Sequence, residues 1–402
     1  MTICFITNQH VSEFRGGIEK VTSILADEFK AKGYNVFMLS SLAPIDCDQL
    51  LENQYVLPNK KMDSKENLDF LSLFVAKYKV DIIINQSEVK AILELIKTSV
   101  PQTPVISVIH TDPAATIKTV QDNWDYWKIQ HGIIKFSLLT PYLFLRKLYQ
   151  TYTRRKYTKS KFLYYYNQSI AIVLLSEKFF NSFKKLTGIK DTSKLYAINN
   201  PQTATGKHDI EAKKEKLVLF VGRLVFQKRL DRLFKIWISI KNRKKWKLII
   251  VGDGPDRKFY EDLCKKWDID NVEFVGHCNP FTYYQKAPIL CMTSSHEGHG
   301  LAITEAMQHN VIPIAYKSYE SIEDIISNGK DGFTIRPFSV SAYSKTLERL
   351  MNDTSYREEI LENIKQKNIR EKDSIDKIID QWGKLFKELT EKNNLCAYFG
   401  SL

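Results

Sequence analysis

The stretch ILCMTSSHEGHGLAITEAM, from Ile289 to Met307, combines a strand pattern, a glycine-rich loop and a helix pattern. Four apolar residues and a threonine, Ile289–Thr293, predict a strand that is buried on both faces. Gly300–Met307 predicts the helix that follows, after a loop that carries Glu297. A buried strand that leads directly into a helix is the unit of a parallel sheet covered by helices, so this stretch predicts an α/β fold.

The same alternation continues through most of the 402 residues. The predicted strands are Ile3–Thr7, Asn35–Leu39, Val80–Asn85, Val105–Ile109, Ala171–Leu175, Leu195–Ile198, Leu217–Val221, Lys247–Val251, Val272–Val275, Ile289–Thr293, Ile312–Ala315 and Gly332–Ile335. A polar stretch with proline and glycine, Asn199–His208, separates two sets of strands. We therefore predict two doubly wound domains, residues 1–200 and 201–373. A C-terminal helix, residues 374–402, is expected to pack on the first domain.

The charge and the apolar pattern limit the classes of partner and location. The formal net charge of +13 favours an anionic partner: a nucleic acid, an acidic membrane surface or a phosphate-bearing ligand. The first residues, MTICFITN, lack the basic start and apolar run of a signal peptide. No apolar run reaches the ~18 residues that a membrane-spanning helix needs. The sequence thus predicts a cytoplasmic protein.

Two loops that follow predicted strands carry residues suited to an anion. Gly16 and Gly17 come after the first strand, at the start of a helix, where backbone amides favour negative charge. Arg223 and Lys228 follow the first strand of the second half and are a plausible pair for a diphosphate. An ordinary strand-to-helix loop and ordinary surface basic residues are the respective alternatives.

The loop of the opening stretch carries two glutamates. In parallel sheets, ligands bind beyond the carboxyl ends of the strands. Glu297 lies in such a loop, and Glu305 lies about one turn into the next helix. Amides around Gly300 and Leu301 would meet a phosphate at the positive end of the helix dipole. Acidic residues that merely cap the helix are the alternative.

Taken in order, these motifs resemble glycosyltransferase family 4 over most of the chain. They are Gly16-Gly17 with Glu19, Asn200-Pro201, VGRL (Val221–Leu224) with Lys228, VGDGP (Val251–Pro255), FVG (Phe274–Gly276), and Glu297 with Gly298, Gly300, Leu301 and Glu305. The resemblance implies the GT-B fold, in which two Rossmann-like domains face a cleft. It also implies transfer with retention of anomeric configuration. The first domain would be the acceptor side, and the second would bind the nucleotide sugar.

The resemblance also implies roles for single residues. Glu305 would accept hydrogen bonds from the donor's ribose, and Glu297 would contact the transferred sugar. Arg223 and Lys228 would hold the diphosphate and stabilise its charge as it leaves. The donor would further contact Gly16, Gly17, Gly298, Gly300 and Leu301.

Three other positions bear on the resemblance. His110 matches a position that usually holds a histidine near the transferred sugar, with a structural histidine as the alternative. His299 stands where an aromatic residue is common, and Arg229 stands where glycine is usual. These two departures leave the donor sugar open.

Two D-x-D patterns, Asp46–Asp48 and Asp268–Asp270, match a motif that holds a metal ion in another sugar-transferase fold. Both are interpreted as chance occurrences, so no metal and no other cofactor is expected. VGDGPDR has Arg257 where a dinucleotide-binding fingerprint needs a third glycine or alanine, which argues against a nicotinamide enzyme.

The segment Ile133–Tyr166 contains no acidic residue and alternates basic with aromatic residues. Its candidate membrane- or acceptor-side residues are Arg146, Lys147, Arg154, Arg155 and Lys156; Tyr142, Leu145, Leu148, Tyr149 and Tyr152 form an apolar stripe. This composition suits an anionic membrane surface. A helix packed on the first domain with solvated basic residues is the alternative. Nucleic-acid binding is not expected, because no recognised binding motif accompanies the segment.

Together these features predict a retaining hexosyltransferase that uses a nucleotide-diphosphate sugar, with UDP as the expected nucleotide. Its acceptor would be a lipid-linked glycan in bacterial surface-polysaccharide synthesis, at the inner face of the cell membrane. A transferase with a soluble acceptor, a nucleotide-sugar epimerase and a non-catalytic binding protein of the same fold are the alternatives.

Overall fold

The computed structural model describes residues 1–11, 16–42, 52–131, 133–201, 214–367 and 375–399. The D-x-D pattern Asp46–Asp48 lies outside the described residues. The chain divides into two compact units. The first consists of Met1–Pro113, Tyr157–Thr203 and Asp373–Leu402, and the second of Ala114–Lys156 and Ala204–Lys372.

The first unit contains a parallel sheet of seven strands. These are β1 (Thr2–Thr7), β2 (Asn35–Ser40), β3 (Gln54–Val56), β4 (Ile82–Asn85), β5 (Val105–Ile109), β6 (Ala171–Leu174) and β7 (Leu195–Ala197), in the order β3-β2-β1-β4-β5-β6-β7. Ile3–Ile6 are buried, as expected for a strand covered on both faces. Sequence analysis missed only β3, because three residues are too few to show a strand period.

The second unit contains a parallel sheet of six strands. These are β8 (Leu217–Val221), β9 (Lys247–Val251), β10 (Val272–Gly276), β11 (Ile289–Met292), β12 (Ile312–Tyr316) and β13 (Phe333–Ile335), in the order β10-β9-β8-β11-β12-β13. β8 lies in the middle, between β9 and β11, so the loops that follow these three strands emerge side by side. The prediction of an α/β fold with two parallel sheets is confirmed.

Helices connect these strands. They are α1 (Gly17–Ala31), α2 (Lys65–Tyr78), α3 (Lys90–Ser99), α4 (Ala115–His131), α5 (Ile133–Gln168), α6 (Lys178–Thr187), α7 (Leu230–Ser239), α8 (Arg257–Lys266), α9 (Phe281–Lys286), α10 (Leu301–Gln308), α11 (Ile322–Ile325), α12 (Val340–Asn352), α13 (Thr354–Gln366) and α14 (Ile375–Phe399). Short 3₁₀ turns cover Phe226–Lys228 and Arg243–Lys245.

The C-terminal helix α14 is part of the first unit. Its apolar stripe is buried, and the ring of Phe29 in α1 lies 6.1 Å from Trp382 and 5.6 Å from Phe386, between ring centroids. At the polar edge, Tyr196 Oη donates to Glu388 Oε1 at 2.9 Å. The stripe of apolar residues read from the sequence therefore faces the core of the first unit.

Residues 114–156 differ from the expected division at residue 200, because they cluster with the second unit. The ring of Tyr126 in α4 lies 4.9 Å from that of Phe226 and 4.7 Å from that of Phe259. Asp122 and Asp125 of the same helix contact the guanidinium of Arg229. These contacts join residues about a hundred positions apart, so no local pattern in the sequence could indicate them.

Candidate functional site

The loops after β8 and β9 approach each other so closely that only glycine fits between them. A Cβ atom on Gly252 would lie 2.0 Å from the backbone oxygen of Gly222, and Gly252 has a φ of +134°. Leu224 N donates to Asp253 O at 2.8 Å. The backbone after β8 is thus fixed by the loop beside it, and Arg223 is exposed there.

The loop after β11, residues 294–300, is held by several hydrogen bonds to its backbone. Gln227 Nε2 donates to His296 O at 2.7 Å, and Ser295 N donates to Gln227 O at 2.8 Å. Ser321 Oγ donates to Gly298 O at 2.6 Å. Because these partners come from the loop after β8 and from the segment before α11, the loop has one defined path.

Lys228 and Glu297 meet at the carboxyl ends of β8 and β11. Lys228 Nζ lies 2.6 Å from Glu297 Oε1, and the two side chains are 16% and 11% exposed. Such a short charge-assisted bond between two largely covered groups holds both in place. The structure therefore brings together two of the residues that the sequence singled out, 69 positions apart.

Helix α10 begins beside this ion pair. Its N-cap, Gly300, has a φ of +76°, and a Cβ there would lie 2.8 Å from Tyr319 Oη. Leu301 is the first helical residue, so the positive end of the helix dipole lies next to Glu297. Glycine is required here by backbone conformation and by space.

Glu305 lies in the second turn of α10 and is held by Tyr284. Tyr284 Oη donates to Glu305 Oε2 at 3.1 Å, and the ring of Tyr284 stacks on His309 with centroids 5.3 Å apart. Burial, together with the charge of Glu305, raises the pKa of Tyr284 well above its ordinary value, so its hydroxyl stays protonated and donates. Sequence analysis missed Tyr284, since nothing in its local pattern distinguishes it from other buried aromatic residues.

Arg229, noted as a departure in the sequence, is almost fully buried at 1% exposure and has a φ of 54°. Its Nε lies 3.0 Å from Asp231 Oδ1, and its Nη1 lies 2.9 Å from Asp125 Oδ2 and 3.3 Å from Asp122 Oδ1. Burial alone would lower the pKa of Arg229, but the three carboxylates raise it above the ordinary value. The cation therefore fastens α4 to the start of α7.

His110 follows β5 in the first unit. Its Nε2 lies 2.5 Å from Gln86 Oε1, and its backbone N–H donates to Glu88 Oε1 at 3.0 Å. Burial lowers the pKa of His110 to about 4, against a smaller opposing effect of the Glu88 charge. The imidazole is thus neutral at physiological pH and can act as a hydrogen-bonding group but not as a cation.

We expect this neutral histidine to make the protein less stable in acid. The unfolded chain binds a proton near pH 6.5 and the folded chain only near 4. The stability linked to His110 is therefore present above pH 6.5 and is lost as the pH falls towards 4. The full difference corresponds to about 3 kcal/mol. His110→Gln should make the loss of unfolding free energy between pH 7.5 and 4.5 smaller by about 2 kcal/mol.

Urea unfolding of both proteins at the two pH values measures this difference. His277→Gln is the matched control, because His277 is exposed and its replacement should leave the wild-type pH dependence. An equal loss of stability in wild type and His110→Gln would show that His110 is already protonated in the folded protein at pH 4.5.

The remaining sequence candidates lie as follows. Gly16 is the N-cap of α1 and Gly17 its first residue, so both follow β1 in the first unit. A Cβ on Gly16 would lie 2.7 Å from Glu19 Oε2. Asp270 of the second D-x-D pattern accepts from Arg243 Nε at 3.0 Å. Arg257 contacts Glu261 and Asp253 at 2.8 and 3.1 Å.

Two searches of the described residues are relevant to metals and membranes. Within these ranges no group of three or more His, Cys, Asp or Glu side chains could hold a metal ion. Among the helices that the structure describes, none is both long and apolar enough to cross a membrane. Metal independence stays a prediction.

Residues 204–367 match the family model of glycosyl transferases group 1. A Campylobacter jejuni protein named GalNAc-alpha-(1->4)-GalNAc-alpha-(1->3)-diNAcBac-PP-undecaprenol alpha-1,4-N-acetyl-D-galactosaminyltransferase is 34% identical over 185 residues, covering 45% of this chain and 50% of that protein. The amylovoran biosynthesis glycosyltransferase AmsD of Erwinia amylovora is 30% identical, covering 37% of this chain and 42% of its own. The chain spans about half the length of such curated relatives.

Solved structures resemble almost the whole chain. The structure of Anabaena HepE with UDP and glucose has a TM-score of 0.71 at 15% identity, covering 96% of this chain and all of that one. Staphylococcus aureus TarM, solved with UDP and glycan ligands, has a TM-score of 0.73 at 14% identity with the same coverage. Identities this low establish the fold, which is GT-B as expected from the sequence. We conclude that the chain has a GT-B fold and that its residues 204–367 match the glycosyl transferases of group 1.

Proposed function

We propose that this protein is a retaining glycosyltransferase of family 4 that moves a hexose from a nucleotide-diphosphate sugar, with UDP as the nucleotide, to a glycan. The observation that carries the proposal is the Lys228–Glu297 ion pair beside the N-terminus of α10. A cation and helix amides for a diphosphate, next to a carboxylate for sugar hydroxyls, suit a nucleotide sugar. The matched family and the names of the relatives support the same reaction.

Each residue of the second unit then has a separate task. Arg223 and Lys228 bind the diphosphate, and Lys228 stabilises its growing negative charge as the bond to the sugar breaks. Glu297, held by Lys228, orients the transferred sugar. Glu305, oriented by the Tyr284 hydroxyl, accepts from the ribose hydroxyls. Gly298, Gly300 and Leu301 allow the donor to approach the backbone.

The first unit supplies the acceptor side and the residues near β1 and β5. Gly16 and Gly17 offer amides at a helix start, and neutral His110 offers a hydrogen bond to the transferred sugar. No protein base is required for retention, because the departing diphosphate can take the acceptor's proton. Catalysis then depends mainly on positioning and electrostatics.

The direct test is nucleotide release from a panel of nucleotide sugars, with and without a glycan acceptor. Release that depends on acceptor, with a product of unchanged anomeric configuration by NMR, supports the proposal. A change of donor configuration without an acceptor would identify an epimerase instead. Tight donor binding with no turnover for any acceptor would favour a non-catalytic binding protein.

We predict that transfer continues in excess chelator. Lys228 and Arg223, rather than a metal ion, neutralise the diphosphate in this proposal, and Asp270 is engaged by Arg243. The measurement is the initial rate with EDTA, compared with the rate after Mg²⁺ or Mn²⁺ is restored. A strict requirement for the added metal would contradict the prediction and return attention to the D-x-D patterns.

We further propose that the protein binds the inner, anionic face of the cell membrane, where it uses a lipid-linked glycan of surface-polysaccharide synthesis. The support comes from α5, where the stripe of Tyr142, Leu145, Leu148, Tyr149 and Tyr152 is exposed, Tyr149 by 69%. Arg146, Arg154, Arg155 and Lys156 are exposed on the same helix. Large exposed rings next to basic side chains suit a headgroup layer.

Lys147 is an exception within this set. It is half-buried, its Nζ lies 5.0 Å from the ring centroid of Trp124, and it donates to Gln121. Lys147 therefore contributes to the packing of α5 on α4, and the membrane proposal rests on the other basic residues.

A further inference from the structure

The residue behind the Glu297 loop is Asp122, which comes from α4. Asp122 is 2% exposed, and its Oδ2 accepts a hydrogen bond from Ser295 Oγ at 2.5 Å. Its other oxygen, Oδ1, lies 3.3 Å from Arg229 Nη1. One buried carboxylate thus connects the cation that fastens α4 with the second residue of the loop that carries Glu297.

The hydrogen bonds around Ser295 form a short chain. Its hydroxyl can donate to Asp122 Oδ2 at 2.5 Å or to Gln227 O at 3.2 Å, and the shorter distance and the charge favour Asp122. His296 Nδ1 lies 3.0 Å from Ser295 Oγ. Since the single hydroxyl hydrogen is directed to Asp122, the proton of the second bond must be on Nδ1 of His296.

Asp122 and Asp125 have different neighbours although both contact Arg229. Asp125 lies one turn further along α4, contacts Arg229 at 2.9 Å and Arg232 at 3.8 Å, and is 22% exposed. The carboxylate of Asp122 contacts Ser295 and lies 3.6 Å from His296 Nδ1, next to Glu297 in sequence. Asp125 is therefore a natural control for Asp122.

We propose that Asp122 is a positioning residue that fixes Glu297 through the Ser295–His296 segment; this rests on the proposed function of Glu297. Ser295 and His296 immediately precede Glu297, so a change in their side-chain anchoring moves the carboxylate that orients the sugar. A misplacement of about 1 Å near the reacting atoms can lower a rate by about a hundredfold. Nucleotide binding depends on Lys228 and Glu305, which Asp122 does not contact.

Asp122→Ala tests this directly. We expect kcat to fall 10- to 100-fold, with donor KM changed less than threefold. Asp122→Asn, which keeps an oxygen acceptor for Ser295, should restore most of the rate. Asp125→Ala removes a carboxylate from the same cation without altering the loop, so it should keep a kcat near that of wild type. Equal losses in the two alanine variants would reduce the role of Asp122 to the docking of α4.

A second variant guards against failure to fold. Ser295→Ala removes the same link from the loop side and leaves all three carboxylates on Arg229. We expect a similar fall in kcat, and a double variant no worse than the single ones, because residues in one network are not additive. A wild-type rate in Ser295→Ala would overturn the proposal.

Hydrogen–deuterium exchange separates this inference from the proposed reaction. Exchange over residues 294–300 should rise in Asp122→Ala and Ser295→Ala but not in Asp125→Ala, whatever the donor. If no nucleotide sugar is turned over and the exchange pattern holds, the proposed function fails while the positioning stands. If transfer occurs and exchange is the same in all variants, the positioning role is wrong.

Discussion

Replacing Lys228 with alanine is expected to lower kcat by about 10²- to 10³-fold, with a smaller effect on donor affinity. Removing one preorganised charge-stabilising donor has a cost of this size in other enzymes. The diphosphate gains negative charge as the bond to the sugar breaks, so a cation beside it stabilises the transition state more than the bound donor. Lys228 also holds Glu297 at 2.6 Å, and its loss would release that carboxylate.

Lys286→Ala provides the matched control for this experiment. Lys286 Nζ pairs with Glu215 Oε1 at 3.3 Å, and Glu215 precedes β8 whereas Lys228 follows it. The control removes the same charge from the same unit at the other end of the strand, where no ligand is proposed. It should have the wild-type kcat.

Arg223→Ala and Glu297→Gln complete the interpretation. Arg223 is exposed, so its replacement removes a diphosphate contact without disturbing an ion pair that the structure shows. We expect a smaller loss of kcat than for Lys228→Ala. Single-turnover rates with saturating donor separate the chemical step from binding. Unchanged rates in both Lys228→Ala and Arg223→Ala would refute the leaving-group role.

Changing Arg154, Arg155 and Lys156 to glutamine is expected to weaken binding to anionic vesicles by roughly 100-fold. Each basic residue near an anionic surface contributes about 1 kcal/mol, and the attraction decays within a Debye length of about 8–10 Å. All three residues are exposed next to the apolar stripe of α5. Wild-type binding should therefore also fall steeply as salt rises, and neutral vesicles should bind little protein.

Vesicle co-sedimentation measures this, with a control that changes the same charge elsewhere. Lys244, Lys245 and Lys247 are exposed in the second unit around the 3₁₀ turn before β9. Their replacement by glutamine should leave vesicle binding close to wild type after correction for net charge. Transfer to a short water-soluble acceptor should survive in the α5 variant. Equal loss of binding in both triple variants would reduce the interaction to net charge and return α5 to a solvated helix.

Most of the fold could be predicted because its signals are local. Each apolar run of four or five residues followed by a helix pattern specifies one strand and its covering helix, as for Ile289–Met307. Glu297, Glu305, Arg223 and Lys228 could be singled out because they follow such runs, where parallel sheets offer their strand ends. The three-residue strand β3 was missed for the same reason, since it has too few residues for a pattern.

The partners of these residues could not be predicted. Nothing near Glu297 in the sequence indicates that Lys228 neutralises it, and nothing near Glu305 indicates the hydroxyl of Tyr284. Arg229 could be recognised only as an unusual residue in its loop. Its carboxylate partners on α4 lie 104 and 107 positions away.

The sequence by itself therefore determined two parallel sheets and the strand ends at which the candidate residues lie, because hydrophobic period and strand–loop–helix order act over a few residues. Only the tertiary structure decided that residues 114–156 join the second unit and that Asp122 reaches Ser295. Both depend on a charge, Arg229, that is stable in the interior only when folding brings Asp122, Asp125 and Asp231 around it. A buried cation without those partners would be too costly, and their meeting is a property of the folded chain.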